Sequence, residues 1–167
     1  MAHRKLLISD ANIIIDVIAG GLVDDLFQLD YTFGTPDILF EKELKDQHPE
    51  IISAGLQVLE LNAETVAYAS SVFNADVTDR VSLMDCVALA LARQENCTLL
   101  TGDARLRKHA ETESIEVKGT LWIVQQLLDN KLIDTDKAED AYQKMRNDGS
   151  RLPEKEITKQ LKAYRNK

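Results

Sequence analysis

The sequence predicts an α/β domain with a central parallel sheet, and three observations predict it. Short apolar runs alternate with stretches of helical periodicity through most of the chain. The first run, KLLIS at 5–9, is short, apolar and closed by a polar break, as a buried strand is. The stretch SLMDCVALALARQEN is rich enough in Ala and Leu that, as a helix, it belongs against a sheet.

The elements follow in order. After KLLIS, the residues Ile14, Ile15, Ile18, Leu22, Leu26 and Leu29 recur at three- and four-residue spacing. That predicts helix from Ala11 to Leu29, split in two at Gly20-Gly21. YTFGTP (31–36) reads as a strand with a Gly–Pro stop. DILFEKELKD reads as a helix with an acidic first turn, which the helix dipole favours. LQVLEL (56–61) alternates like a strand, and Asn62 caps a helix from Ala63 to about Phe73. The polar segment 74–81 is turn-like. Ser82, with Asp85 three residues on, opens the Ala/Leu-rich helix in the manner of a capping box. CTLLT (97–101) is the next strand, 103–111 a helix, IEV (115–117) a last short strand and GTLWIVQQLLDNKLI an amphipathic helix. Two more helical stretches, about 135–147 and 153–165, close the chain. The expected division is a domain over 1–130 and a helical C-terminal extension over 131–167, packed on that domain or against a partner.

At 167 residues the chain can bury a real core, and 44% hydrophobic with 29% charged residues describes an ordinary globular protein. No apolar run approaches a membrane span, and Asp10 interrupts the basic, apolar start before a signal-peptide core forms. Cys86 and Cys97 lack metal or redox spacing, so the expectation is two small buried thiols in a reducing, cytoplasmic setting. The net charge of −8 argues against a generic nucleic-acid binder. Residues 1–130 hold 10 Lys+Arg against 21 Asp+Glu, and residues 131–167 hold 10 against 7. An acidic body either repels polyanions or holds cations that invert its local field.

The placement of the acids decides between those two. In an open parallel sheet, ligands bind in the crevice at the carboxyl ends of the strands. Asp10 directly follows the first strand and Asp103 follows CTLLTG. Asp85 sits in the first turn of its helix, and Glu41 and Glu43 in the early turns of the helix after the second strand. Each alone has an ordinary reading as a cap or a solvated helix face. Asp16, Asp24, Asp25 and Asp30 keep that reading, because nothing places them at the rim. Together, four segments bring carboxylates to one edge, where they would repel one another unless a cation sat between them. Oxygen ligation with few or no histidines suits Mg²⁺ or Mn²⁺. Such a site fits phosphodiester chemistry, in which two ions roughly 3.5–4 Å apart activate a water and stabilise the leaving oxygen.

These residues resemble a PIN domain. The pattern is an aspartate after the first strand (LLISDANIIID), a glutamate on the helix after the second (TPDILFEKEL), an aspartate opening an Ala-rich helix (SLMDCVALALA) and a strand-end TGD (LLTGDARLRKHA), over residues 5–118. The later VKGTLWIVQQLLDNKLI and the helical tail resemble PIN proteins related to VapC-type toxins. The resemblance implies a three-layer α/β/α fold and a Mg²⁺- or Mn²⁺-dependent ribonuclease, often the toxin of a toxin–antitoxin pair and often a homodimer. It makes Asp10, Asp85 and Asp103 metal ligands, completed by Glu41 or alternatively Glu43. On an α-helix these glutamates stand about 200° apart, so only one faces the site. Asp37, Glu41 and Lys45 share a face opposite Ile38, Leu39 and Leu44, which favours Glu41. Thr101 would add a hydroxyl near the metals and Asn12 a supporting hydrogen bond. Arg105, Arg107 and Lys108 would meet a nucleic-acid backbone, or else form a solvated helix face. Trp122 reads as core or dimer interface rather than a base-stacking platform.

Two other functions compete. A PIN-like module could bind RNA or protein without cutting, although all four acidic stations are filled. Aspartate-based phosphotransfer domains also use strand-end carboxylates and Mg²⁺. A phosphatase of that kind needs an acid where Asn12 stands, and a receiver needs a lysine where TGDARL has an acid.

Overall fold

The computed structural model describes residues 4–75 and 81–167. Its five parallel strands are β1 (Lys5–Ser9), β2 (Tyr31–Pro36), β3 (Gln57–Leu59), β4 (Thr98–Leu100) and β5 (Val117–Lys118). They lie in the order β3-β2-β1-β4-β5. In register, Leu7 faces Phe33 on one side and Thr98 on the other, and Ser9 faces Leu100. Leu7, Ile8, Leu99 and Leu100 are each at most 1% exposed, so the central strands are covered on both faces, which is why they read as unbroken apolar runs.

The helices form the outer layers. Between the first strands lie α1 (Ala11–Ala19), α2 (Val23–Leu26), α3 (Asp37–Leu39) and α4 (Ile51–Ala54). Then come α5 (Ala63–Ala75), α6 (Leu83–Glu95) and α7 (Ala104–Thr112), and finally α8 (Thr120–Asp129), α9 (Thr135–Asn147) and α10 (Glu154–Arg165). The Ala-rich helix α6 packs on β1, β2 and β4, with α5 and α7 beside it. Its small side chains, Ala88, Ala90 and Ala92 among them, are fully buried. On the other face, Ile13, Ile14 and Val17 of α1, Leu26 of α2 and Ile123 of α8 close over Phe33 and Leu100. The fold is the expected α/β architecture, consistent with three layers.

Two features depart from the sequence expectation. Helix α3 does not continue as an α-helix: Phe40–Leu44 form a π turn, in which the Lys45 amide donates to the Phe40 carbonyl at 2.8 Å. The short helix α4 was not anticipated. The turn expected at 74–81 falls largely outside the described residues.

The last two helices belong to the same core. Ala138, Ala141, Tyr142 and Met145 of α9 are buried, and so are Ile157 and Leu161 of α10. Helix α9 lies against α1, and α10 against α8 and α9. A Cβ on Gly20 would meet Met145 Cε at 2.8 Å and Ala141 Cβ at 3.3 Å, so the chain at the end of α1 approaches α9 closely. Cys86 is buried, Cys97 half-buried, and both are free thiols. Among the described residues no helix is long and apolar enough to cross a membrane.

Candidate active site

The direction of the sheet reverses between β1 and β4. From β1 the chain moves outward to β2 and β3, then returns to β4 on β1's other side. The connections leaving these two strands cover opposite faces, which opens a crevice at their carboxyl ends. Asp10 and Thr101 stand there, one residue beyond each strand. The Asp10 amide donates to the Leu100 carbonyl at 3.0 Å, carrying the ladder one step past the strand ends.

Asp10 is 1% exposed. Its Oδ1 caps α1 by accepting from the Ile13 amide at 2.9 Å, and its Oδ2 accepts from the Thr101 hydroxyl at 2.5 Å. Burial pushes the carboxyl up to about 7 against these two bonds, and the negative charges of Asp85 and Asp16 push it the same way. Thr101, wholly buried, also accepts from the Asp103 amide at 3.1 Å. Asp103 in turn caps α7, its Oδ1 accepting from the amides of Arg105 (2.8 Å) and Leu106 (3.1 Å). The ordinary capping reading of Asp10 and Asp103 is therefore true of one oxygen of each.

Asp85 occupies the first turn of α6, where the Ser82 hydroxyl accepts its amide at 3.0 Å. Burial raises its carboxyl most, Ser82 lowers it, and the charge of Asp103 raises it further. Glu43 is raised by burial and then by the charge of Asp85. Glu41 is elsewhere: its carboxylate pairs with Lys45 Nζ at 3.1 Å in an exposed i,i+4 bridge. The preference for Glu41 is thus corrected to Glu43. Two residues apart, the glutamates face different sides of the turn, and Glu43 is the one that the charge of Asp85 reaches.

The acids form a connected set, in which Asp85 is felt by Asp10 and Glu43 and itself feels Asp103. Among the described residues, no ion pair compensates any of the four, although Lys45, Arg93, Lys137, Arg146 and Arg165 all find carboxylates elsewhere. Among the same residues, no three His, Cys, Asp or Glu side chains already close on a common ion position. The donor chemistry still fits a hard divalent cation: the groups are all oxygen and mutually repelling.

The supporting residues are placed differently from one another. Thr101 bridges two of the acids. Asn12 is exposed on the crevice wall and makes no hydrogen bond among the described residues, so its expected supporting bond is absent there. Arg105, Arg107 and Lys108 are all exposed on α7.

The sequence reading passed over Asp16. It is half-buried and receives the Thr120 hydroxyl at 3.1 Å, with the Ser150 hydroxyl, in the loop between α9 and α10, near enough to act on its carboxyl. Burial raises its carboxyl, those hydroxyls lower it, and Asp148 raises it again. Asp16 lines a cleft of about 360 Å³ with Asn12, Gly102, Asp103, Ser150 and Arg151. The i,i+4 spacing of Asn12 and Asp16 was the signal available, since it puts both on one side of α1.

Comparison with known proteins bears on the family and the fold. A family model described as PIN domain matches residues 6–166, which includes the C-terminal helices. No curated protein matches the chain. Among solved structures, a PilT N-terminus domain protein from the hyperthermophilic archaeon Sulfolobus solfataricus P2 has a similar fold. Its TM-score is 0.52 at 11% identity, over 74% of this chain and 93% of that one. PIN domains are generally nucleases that use divalent metal ions.

Proposed function

Because the chain belongs to the PIN-domain family, we propose that it is a metal-dependent endoribonuclease hydrolysing RNA phosphodiester bonds, the toxin half of a toxin–antitoxin pair. The observation that carries the reading is the set of uncompensated acids, Asp10, Asp85, Asp103 and Glu43, at the β1–β4 reversal. An acidic crevice accepts the scissile phosphate itself only when divalent ions are held in it.

Asp10, Asp85, Asp103 and Glu43 would hold Mg²⁺ or Mn²⁺. Bound there, such ions supply an activated water and a counter-charge for the leaving oxygen. The chain's own residues do the positioning. Thr101 turns Asp10 Oδ2 and fixes the Asp103 backbone through one hydroxyl. The caps on α1 and α7 fix Oδ1 of each aspartate, while Oδ2 of Asp10 is turned by Thr101 and keeps a second lone pair for a ligand. Arg107 and its neighbours on α7 meet the phosphate backbone. A homodimer neutralised by an antitoxin protein in the cytoplasm completes the reading.

Purified protein incubated with single-stranded and structured RNA, with Mg²⁺ or Mn²⁺ and with chelator, tests it. Expected is cleavage that needs the metal and is lost in Asp10→Asn, Asp85→Asn and Asp103→Asn. Cleavage that persists in these variants points to a contaminant, and binding without cleavage identifies a non-cutting module.

A further inference from the structure

The C-terminal extension supplies more than core packing. A second cleft, of about 400 Å³, lies beside the first and is lined by Arg107, Thr120, Trp122, Arg151, Pro153 and Glu156. Asp16, Gly102 and Arg151 line both, so the two join into one trough. It starts at Asp103 and Asn12 and runs past Arg151 to the indole of Trp122. One wall comes from α7 and the start of α8, the other from the loop joining α9 to α10.

Its two guanidinium groups are unspent. Arg107 and Arg151 are both exposed, and among the described residues neither side chain makes an ion pair or hydrogen bond. Elsewhere on the extension, Arg146 is held by Glu154 at 2.7 Å and Arg165 by Glu139 at 2.5 Å. Four acids also line the trough: Asp103 caps α7, Asp16 accepts the Thr120 hydroxyl, Asp148 lies at the end near Asn12 and Glu156 at the end near Trp122. Trp122 is half-buried, with its ring centroid 5.4 Å from that of Tyr31, which holds the indole in place at the trough wall.

Resting on the nuclease reading, we infer that this trough binds single-stranded nucleic acid as it leaves the acidic centre, Arg107 and Arg151 taking backbone phosphates and Trp122 meeting a base. Unpaired guanidiniums beside an aromatic wall are the elements of single-strand recognition. Clefts of this volume hold groups the size of one or two nucleotides' base and phosphate. The extension thereby becomes part of the substrate path, with Asp16 as its anchor to the helix that Asp10 caps.

Trp122 is the only tryptophan, so its fluorescence reports on the trough directly. The full chain is titrated with a 12-nucleotide oligouridylate in chelator, and cleavage is assayed separately with metal. Expected is saturable quenching that weakens with salt. Arg107→Ala/Arg151→Ala lowers affinity about tenfold or more and flattens the salt slope by about two phosphates' worth, while Lys159→Ala on α10 does neither. Quenching with that arginine dependence but without cleavage upholds the trough and removes the nuclease reading. Cleavage with unchanged KM in the double variant and no quenching overturns the trough and leaves the nuclease reading standing. Tight binding of duplex in preference to the oligouridylate also overturns it.

Discussion

Thr101 donates its hydroxyl to Oδ2 of Asp10 at 2.5 Å, and its own Oγ1 accepts the amide of Asp103 at 3.1 Å. One buried side chain thus ties the aspartate after β1 to the aspartate after β4. Replacing it by valine keeps the shape and leaves a buried carboxyl without its donor. Thr101→Val is expected to cost about 1–3 kcal/mol in urea denaturation and to lower kcat, whereas Thr101→Ser retains most of both.

The acids also make a prediction about pH. The folded Asp10 carboxyl titrates near 7 against an ordinary value of 3.8, because it is buried. Between those values the folded chain holds a proton that the unfolded chain has released. Stability without metal therefore falls as pH rises through about 4 to 7, then levels. The raised Asp85, Asp16 and Glu43 carboxyls act in the same direction. Calorimetry in chelator should show Tm declining over this window. Asp10→Asn should flatten the decline and melt higher than the parent at pH 8; an equal slope in the variant contradicts the assignment.

Added Mg²⁺ or Mn²⁺ should reverse that penalty. A cation bound only by the folded state stabilises it by about 2.7 kcal/mol at a hundredfold excess over Kd, and so raises Tm with its concentration. The parent is expected to gain at pH 8, and Asp85→Asn and Asp103→Asn to gain far less. Equal gains in all three would move the ion elsewhere.

The two glutamates separate cleanly. Glu41 is spent on an exposed bridge to Lys45, a class of contact worth about 0–1 kcal/mol, and does not join the acidic set. Glu41→Gln should leave cleavage within about twofold, and Glu43→Gln should reduce it at least about tenfold. Steady-state kinetics on one RNA substrate decides the matter.

Asp16 offers a test of the extension's anchorage. Asp16→Ala removes the acceptor for Thr120 and Ser150 and frees the loop carrying Arg151. The expected result is a higher KM with a smaller change in kcat, and restoration by Asp16→Asn, which still accepts from a hydroxyl. Equal loss of kcat and kcat/KM would mean that Asp16 acts on the chemistry itself.

Much of the fold was legible because its signals are local. KLLIS and YTFGTP match their strands residue for residue, and Gly20-Gly21 does separate two helices. Asp10, Asp85 and Asp103 were legible because each abuts an element whose end could be read. Glu43 was not, since FEKEL offers two glutamates on different faces and only the folded chain brings one of them near Asp85. Asp16, Thr120 and Ser150 were not, because their meeting depends on how a tail more than a hundred residues away docks on α1. Arg151 carries no motif and gains its place only from that docking.

The reversal of the sheet falls between its two innermost neighbours, β1 and β4, rather than at an edge. Amide hydrogens there should be among the slowest to exchange, since interior strands open only with the whole molecule. Warming would then erode the margins of the protein, β3 and β5 included, before it disturbs the aspartates' alignment. The acidic arrangement and the native state should disappear at one temperature, with no folded intermediate that has lost the one and kept the other.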